Sequence, residues 1–178
     1  MKSVRIDGAF HGRGEGNVMA ATRRAMGARE LGIDLASGAE GELFKWFLAC
    51  LLFGKPVQRE VAGRAYAELV REGLVTPRAI LDAGWDRLVA VLDSGHYVRF
   101  DFSTATKLLE VSRALLERYG SLTRLIRQAR SRNDLAHRLQ EFKGVGPTTT
   151  RIFLRDALRA HAFVLPLGSR RFGCHVHP

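Results

Sequence analysis

Apolar residues recur at helical spacing along most of this chain, and no stretch alternates apolar with polar long enough to make a strand. Leu43 to Phe53, LFKWFLACLLF, is apolar almost all round. A helix of that composition is buried on every side, so it is expected to be the central helix of the domain. Gly54 stops it, and Pro56 suits the opening of the next helix. Residues 56–72 put Val57, Val61, Ala62, Ala65, Leu69 and Val70 on one face, with Arg59, Glu60, Arg64, Glu68 and Arg71 opposite. That is an amphipathic surface helix. Thr76-Pro77 reads as an N-cap followed by a first-turn proline. The short helix it opens ends at Gly84, and a second spans 85–93 before Ser94-Gly95. His96 to Thr104 is the least regular stretch of the middle.

A helix over 104–119 carries Leu108, Leu109, Ser112, Leu115, Leu116 and Tyr119 on one face and stops at Gly120. Ser121 caps a helix with Leu122, Leu125, Ile126 and Ala129, and a polar link over 130–133 leads to a helix from Asp134. Toward the N-terminus, 1–17 reads as a glycine-rich flexible arm and 18–31 as a helix ended by Gly32. The expected fold is all-α.

Leu139 to Leu158, LQEFKGVGPTTTRIFLRDAL, is the most informative stretch. Leu139 and Phe142 give the end of one helix an apolar face. Gly144-Val145-Gly146 makes a tight turn, where glycine allows positive φ and close backbone approach. Pro147 sits where a helix starts, and Ile152, Phe153 and Ala157 follow at helical spacing. A helix N-terminus with free N–H groups behind such a loop attracts a phosphate oxygen. Lys143 adds a cation, and Arg151, Arg155 and Arg159 form an i, i+4 basic stripe.

Net charge sharpens this picture. Lys plus Arg number 28 against 18 Asp plus Glu, a formal charge of +10, which favours a polyanionic partner. Two cysteines, Cys50 and Cys174, make no disulfide framework and suggest a reducing compartment. The first thirty residues lack the continuous apolar core of a secretory signal. Leu43–Phe53 is shorter than the ~20 residues a bilayer span takes. No P-loop or G-x-S-x-G is present.

The residues Leu139-x-x-Phe142-Lys143-Gly144-Val145-Gly146-Pro147-x-Thr149 resemble the helix-hairpin-helix of the endonuclease III-like DNA glycosylase superfamily. The resemblance extends through roughly 40–160 in the order and size of the helices. It implies a six-helix barrel-like domain over 40–160, flanked by a reduced second helical domain to which 18–39 contribute, with 161–178 a short tail. It also implies damaged double-stranded DNA as partner, base-excision repair as function, and a monomer in the cytoplasm associated with the nucleoid. The runner-up is a non-catalytic DNA-binding module that has lost the chemistry. No metal and no iron–sulfur cluster are expected, since the cluster needs four cysteines. The Cys174-His175-Val176-His177 tail likewise lacks a fourth ligand at a zinc spacing.

The DNA-binding residues this implies are Lys143, Gly144, Val145, Gly146, Thr148, Thr149 and Arg151 at the hairpin, with Lys55 and Gln58 on the loop Phe53 to Gln58. The family's lyase lysine falls at Thr148, so a glycosylase here would lack lyase activity. The family's catalytic aspartate falls in Leu165–Arg170, which holds no carboxylate. Asp101 and Asp156 are the acids that could compensate. The competing reading, which outweighs this one, is for Asp101 a cap for the helix at Ser103-Thr104, and for Asp156 an ion pair with Arg159. Glu40 and Glu42 should complement the dipole of the central helix. Tyr97 and Phe100 are either core or base-stacking residues.

Overall fold

A computed structural model describes residues 26–160. Seven α-helices follow one another without a strand among the described residues: α1 (Glu40–Phe53), α2 (Arg59–Arg71), α3 (Pro77–Ser94), α4 (Asp101–Arg118), α5 (Leu122–Gln128), α6 (Arg132–Gln140) and α7 (Pro147–Arg159). The fold is all-α, with one helix more than the six implied for 40–160. Two short 3-10 turns, Arg29–Leu31 and Leu35–Ser37, precede α1. The arm 1–17, most of the helix expected over 18–31, and the tail 161–178 lie outside the described residues.

α1 is the hub. Leu43, Phe44 and every residue from Trp46 to Phe53 are buried, as the all-round apolar composition requires. The helices α2, α4, α5 and α7 pack directly on it. Phe47 reaches the hairpin, with ring centroids 5.6 Å from Phe153 edge-on and 6.5 Å from Phe142. The Trp46 indole N–H donates to the Phe153 carbonyl at 3.1 Å. These contacts hold α7 in place from beneath.

The last carbonyls of a buried helix have no water to bond, so side chains must serve them. Tyr97 O–H donates to Leu52 O at 2.8 Å, and Lys107 Nζ donates to Leu51 O at 2.7 Å. Tyr97 is therefore a core residue rather than a base-stacking one. Burial pushes its phenol pKa upward. The first turn of α1 holds Glu40 and Glu42, as expected. Glu40 has a second role there: its carboxylate accepts N–H groups of Leu122 and Thr123 at 2.8 and 2.7 Å, capping α5 from outside. Glu42 pairs with Lys45 at 2.7 Å and accepts from Asp34 N–H.

The helix boundaries follow local chemistry. Thr76 and Ser121 accept from Ala79 and Arg124 N–H groups at 3.1 Å, as caps should. Gly84, at φ 74° and ψ 176°, breaks α3 into the two short helices expected. Pro56 does not open α2, which begins at Arg59 after an extended Gln58. α4 starts earlier than expected, at Asp101, and α6 at Arg132 behind the Ser131 cap. Gly95 is required for a different reason. A Cβ there would lie 2.6 Å from the Ala65 Cα, so only glycine lets the α3–α4 turn approach α2.

Among the described residues no helix is long and apolar enough to cross a membrane.

Candidate nucleic-acid interface

The hairpin is built from α6, a turn and α7. Leu139 and Phe142 are buried, and Val145 joins them at 4% exposure, so Val145 contributes backbone only. Gly144 has φ +83°, the conformation expected of it. Gly146 does not: at φ −94° and ψ −179° it is ordinary extended backbone, and a Cβ there would meet nothing within 4 Å. The turn therefore needs glycine's freedom at one position, not two. Pro147 opens α7, and the first hydrogen bonds of that helix run from Thr150 N–H and Oγ1 to Gly146 O, both at 3.1 Å. The N–H groups of Thr148 and Thr149 have no acceptor among the described residues.

A groove of roughly 1310 Å³ runs between the loop 54–58 with the first turn of α2 and the outer face of α7. Lys55, Arg59, Arg132, Arg151, Arg155 and Arg159 border it, and Glu60 is the one carboxylate on its rim among the described residues. Gln58 and Thr148 border it as well. Arg59 is bonded to Glu30 at 3.1 Å and Arg155 to Asp156 at 2.6 Å. Lys55, Arg132, Arg151 and Arg159 make no ion pair among the described residues. The expected stripe along α7 therefore faces one groove, together with two cations, Arg59 and Arg132, that the sequence did not single out.

The expected site residues separate into three groups. Lys55, Gln58, Thr148 and Arg151 meet on the groove. Lys143, Gly144, Val145, Gly146 and Thr149 form the adjoining turn, but two of their side chains are engaged elsewhere. Lys143 pairs with Glu110 at 2.9 Å while remaining 81% exposed. Thr149 is buried against Gly54, where an added Cβ would lie 2.1 Å from the Thr149 hydroxyl. Thr149 thus fixes the approach of α7 to the end of α1 and offers a ligand its N–H alone.

Asp101 and Asp156 form the third group, and neither borders the groove. Asp101 is the first residue of α4, and its carboxylate accepts the Phe102 N–H at 2.6 Å. Asp156 pairs with Arg155 rather than with Arg159, and accepts Ala28 N–H at 3.0 Å. Burial alone would raise its pKa, but the Arg155 bond, the Ala28 N–H and the nearby guanidinium charges outweigh that and hold it below the ordinary carboxylate value. Asp156 therefore ties the segment before α1 to α7. The Asp156→Ala variant is expected to lose about 2 kcal/mol of stability, the value of hydrogen bonds to a charged group, with no loss of duplex affinity. Chemical unfolding and a binding titration on the same sample check this; a loss of affinity without loss of stability would return Asp156 to the site.

Beneath the turn lies Lys107, which the sequence reading passed over. Its residue is 5% exposed, and a Cβ on Gly144 would stand 2.8 Å from its Cδ. Its pKa is drawn down from 10.5 to about 8, first by burial and then by the charge of Lys55. The folded chain thus releases this proton at a pH where the unfolded chain still holds it. Unfolding takes up a proton between about pH 8 and 10.5, so this group's contribution to stability improves as pH rises through that window. The stability of the native chain relative to Lys107→Met should accordingly grow by roughly 3 kcal/mol across the window. Urea unfolding of both at several pH values measures it, and a constant difference would refute the buried-ammonium picture.

Cys50 is fully buried and its thiol pKa is raised well above the ordinary value, first by burial, which makes it an inert core residue. Among the described residues no group of three or more His, Cys, Asp or Glu is placed to hold a metal ion. Comparison of the chain with known protein families, with curated proteins and with solved structures finds no match.

Proposed function

We propose that this protein binds duplex DNA through its sugar–phosphate backbone and serves base-excision repair, in the manner of the helix-hairpin-helix glycosylases its hairpin resembles. One observation supports the reading above the others. The open N-terminus of α7, the Arg151–Arg159 stripe and the loop 54–58 border a single groove with six cations and one carboxylate. A phosphate at the turn accepts from the Thr148 and Thr149 N–H groups, and the neighbouring phosphates lie along Arg151, Arg159 and Arg132. Contacts of this kind fix position and carry no sequence information.

For the chemistry, a base must leave the stack and its bond to the sugar be cut. Thr148 holds the place of the family's amine, and a hydroxyl forms no imine, so excision here proceeds without strand cleavage. A second reading, a binding module without catalysis, is favoured by the position of Asp101 and Asp156 away from the groove.

The deciding experiment is a base-release screen on duplexes with different damaged bases, run beside a salt titration of undamaged duplex. Released base, with no adduct trapped by borohydride, supports the glycosylase. Salt-dependent binding without release leaves the module. Affinity that is flat between low and moderate salt removes both.

A further inference from the structure

We propose that the exposed ring pair Phe102–Trp85, with Arg99 and Lys55 on the neighbouring Phe100 ring, is a stacking platform for unpaired nucleotides that flank the duplex in the groove. The inference rests on the DNA-binding reading above and adds a substrate feature to it. Large apolar side chains are seldom left in water without a use when they gather. Here Phe102 is 60% exposed, Val98 59% and Trp85 39%, all on or against the short segment where α3 turns into α4. The two rings lie 5.2 Å apart between centroids, tilted by 42°.

The platform is held before any ligand arrives. The Trp85 indole N–H donates to Thr106 Oγ1 at 3.0 Å, and that hydroxyl in turn donates to the Phe102 carbonyl at 2.9 Å. A ring fixed in this way loses little freedom on stacking. Cations stand over Phe100, two residues before Phe102. Lys55 Nζ lies 5.5 Å and the Arg99 guanidinium carbon 5.3 Å from the centroid of the Phe100 ring. The nearby Asp101 carboxylate is turned to its own helix, on the Phe102 N–H. Aromatic faces with cations alongside are the composition that takes single-stranded nucleic acid, bases on rings and phosphates on charges.

Continuity argues for nucleotides adjoining a duplex. Lys55 borders the groove, and its Nζ is 3.4 Å from Ser103 Oγ, one residue beyond Phe102. A strand leaving the groove past Lys55 runs on toward the start of α4, which carries Phe102. Within a duplex both faces of a base are already stacked, so the platform takes the bases of an unpaired stretch.

The two tryptophans supply a built-in probe. Trp46 is 0% exposed, whereas Trp85 is open to solvent, so a change in emission on binding reports Trp85. The test compares a blunt duplex with the same duplex carrying a short single-stranded tail. The tail is expected to raise affinity about tenfold or more, the value of one stacked base, and to quench the emission. Phe102→Ala, a change at an exposed side chain, should abolish that gain and leave blunt-duplex affinity as it was. Blunt duplex bound equally with and without the tail, and no quenching, would overturn the platform while leaving the groove. Failure to bind either DNA would overturn both. Concentration-dependent self-association that buries Trp85 would also overturn it, by showing a second copy of the chain on the rings.

Discussion

Replacing Arg132, Arg151 and Arg159 together by glutamine is expected to cut affinity for duplex DNA several-hundred-fold near ~0.1 M salt, the largest effect foreseen for any variant here. The argument is electrostatic. Each cation that neutralises a phosphate releases a counterion and contributes about 0.9 to the slope of log K against log salt. Three lost contacts lower the slope by roughly 2.7, and the same relation carried to ~0.1 M gives the loss in affinity. These residues are chosen because all three are exposed on the groove and make no ion pair among the described residues, so no buried partner is stranded by their removal. Folding should therefore be unaffected. Titration of native and triple variant at several salt concentrations measures the slope. An unchanged slope would mean that the groove is not where the phosphates lie.

The second prediction concerns the glycines of the turn, which should behave differently from one another. Gly144→Ala is expected to cost about 2–3 kcal/mol of stability. A side chain at φ +83° is strained by ~1 kcal/mol or more, and its methyl would displace the Lys107 stem, which lies 2.8 Å away and is anchored on Leu51 O. Gly146→Ala should fold as well as the native chain, or better by about 0.5 kcal/mol, because its backbone is extended and its Cβ meets no atom. Yet that methyl stands at the mouth of the α7 N-terminus, where a phosphate would have to come close. Affinity is expected to fall about tenfold, the value of one charge-assisted hydrogen bond. Gly146→Ala is thus the cleaner test. Native-like unfolding with undiminished duplex binding would show that the turn is only a connector between packed helices.

Which parts of the molecule were legible in the sequence follows from the range of the forces involved. The burial of α1 could be read because eleven successive positions, Leu43 to Phe53, carry almost no polar side chain. The caps Thr76 and Ser121 and the stops at Gly84 and Gly120 are local chemistry, settled within one turn, and the structure has them where they were expected. What could not be read is a partner that lies far along the chain. Glu40 bonds residues 82 and 83 positions away, and Asp156 holds Ala28 across 128. Nothing in the neighbourhood of either residue indicates this. Lys107 is an intermediate case. It stands among Thr104, Leu108, Val111 and Leu115 on the buried face of α4, so a cation in that row was a readable sign of an internal acceptor, although not of which one. For the site, the α7 stripe was legible from i, i+4 spacing. Arg132 and Arg59 were not, because only the tertiary arrangement of α6 and α2 brings them to the same groove.

The Trp46–Phe153 hydrogen bond bears on how the chain is made. It joins residues 107 positions apart, and Phe47 meets Phe153 and Phe142 in the same region. α1 is the first long helix of the described chain to be synthesised, and its cover is completed by the last. While residues 54–150 are being added, the face of α1 that α7 will bury stands open to water, and its final carbonyls wait for Tyr97 and Lys107. At ~5–20 residues per second this exposure lasts several seconds or more. A surface of that kind is what chaperones that hold nascent chains bind, so the central helix that organises the finished domain is also the segment most in need of protection during its synthesis.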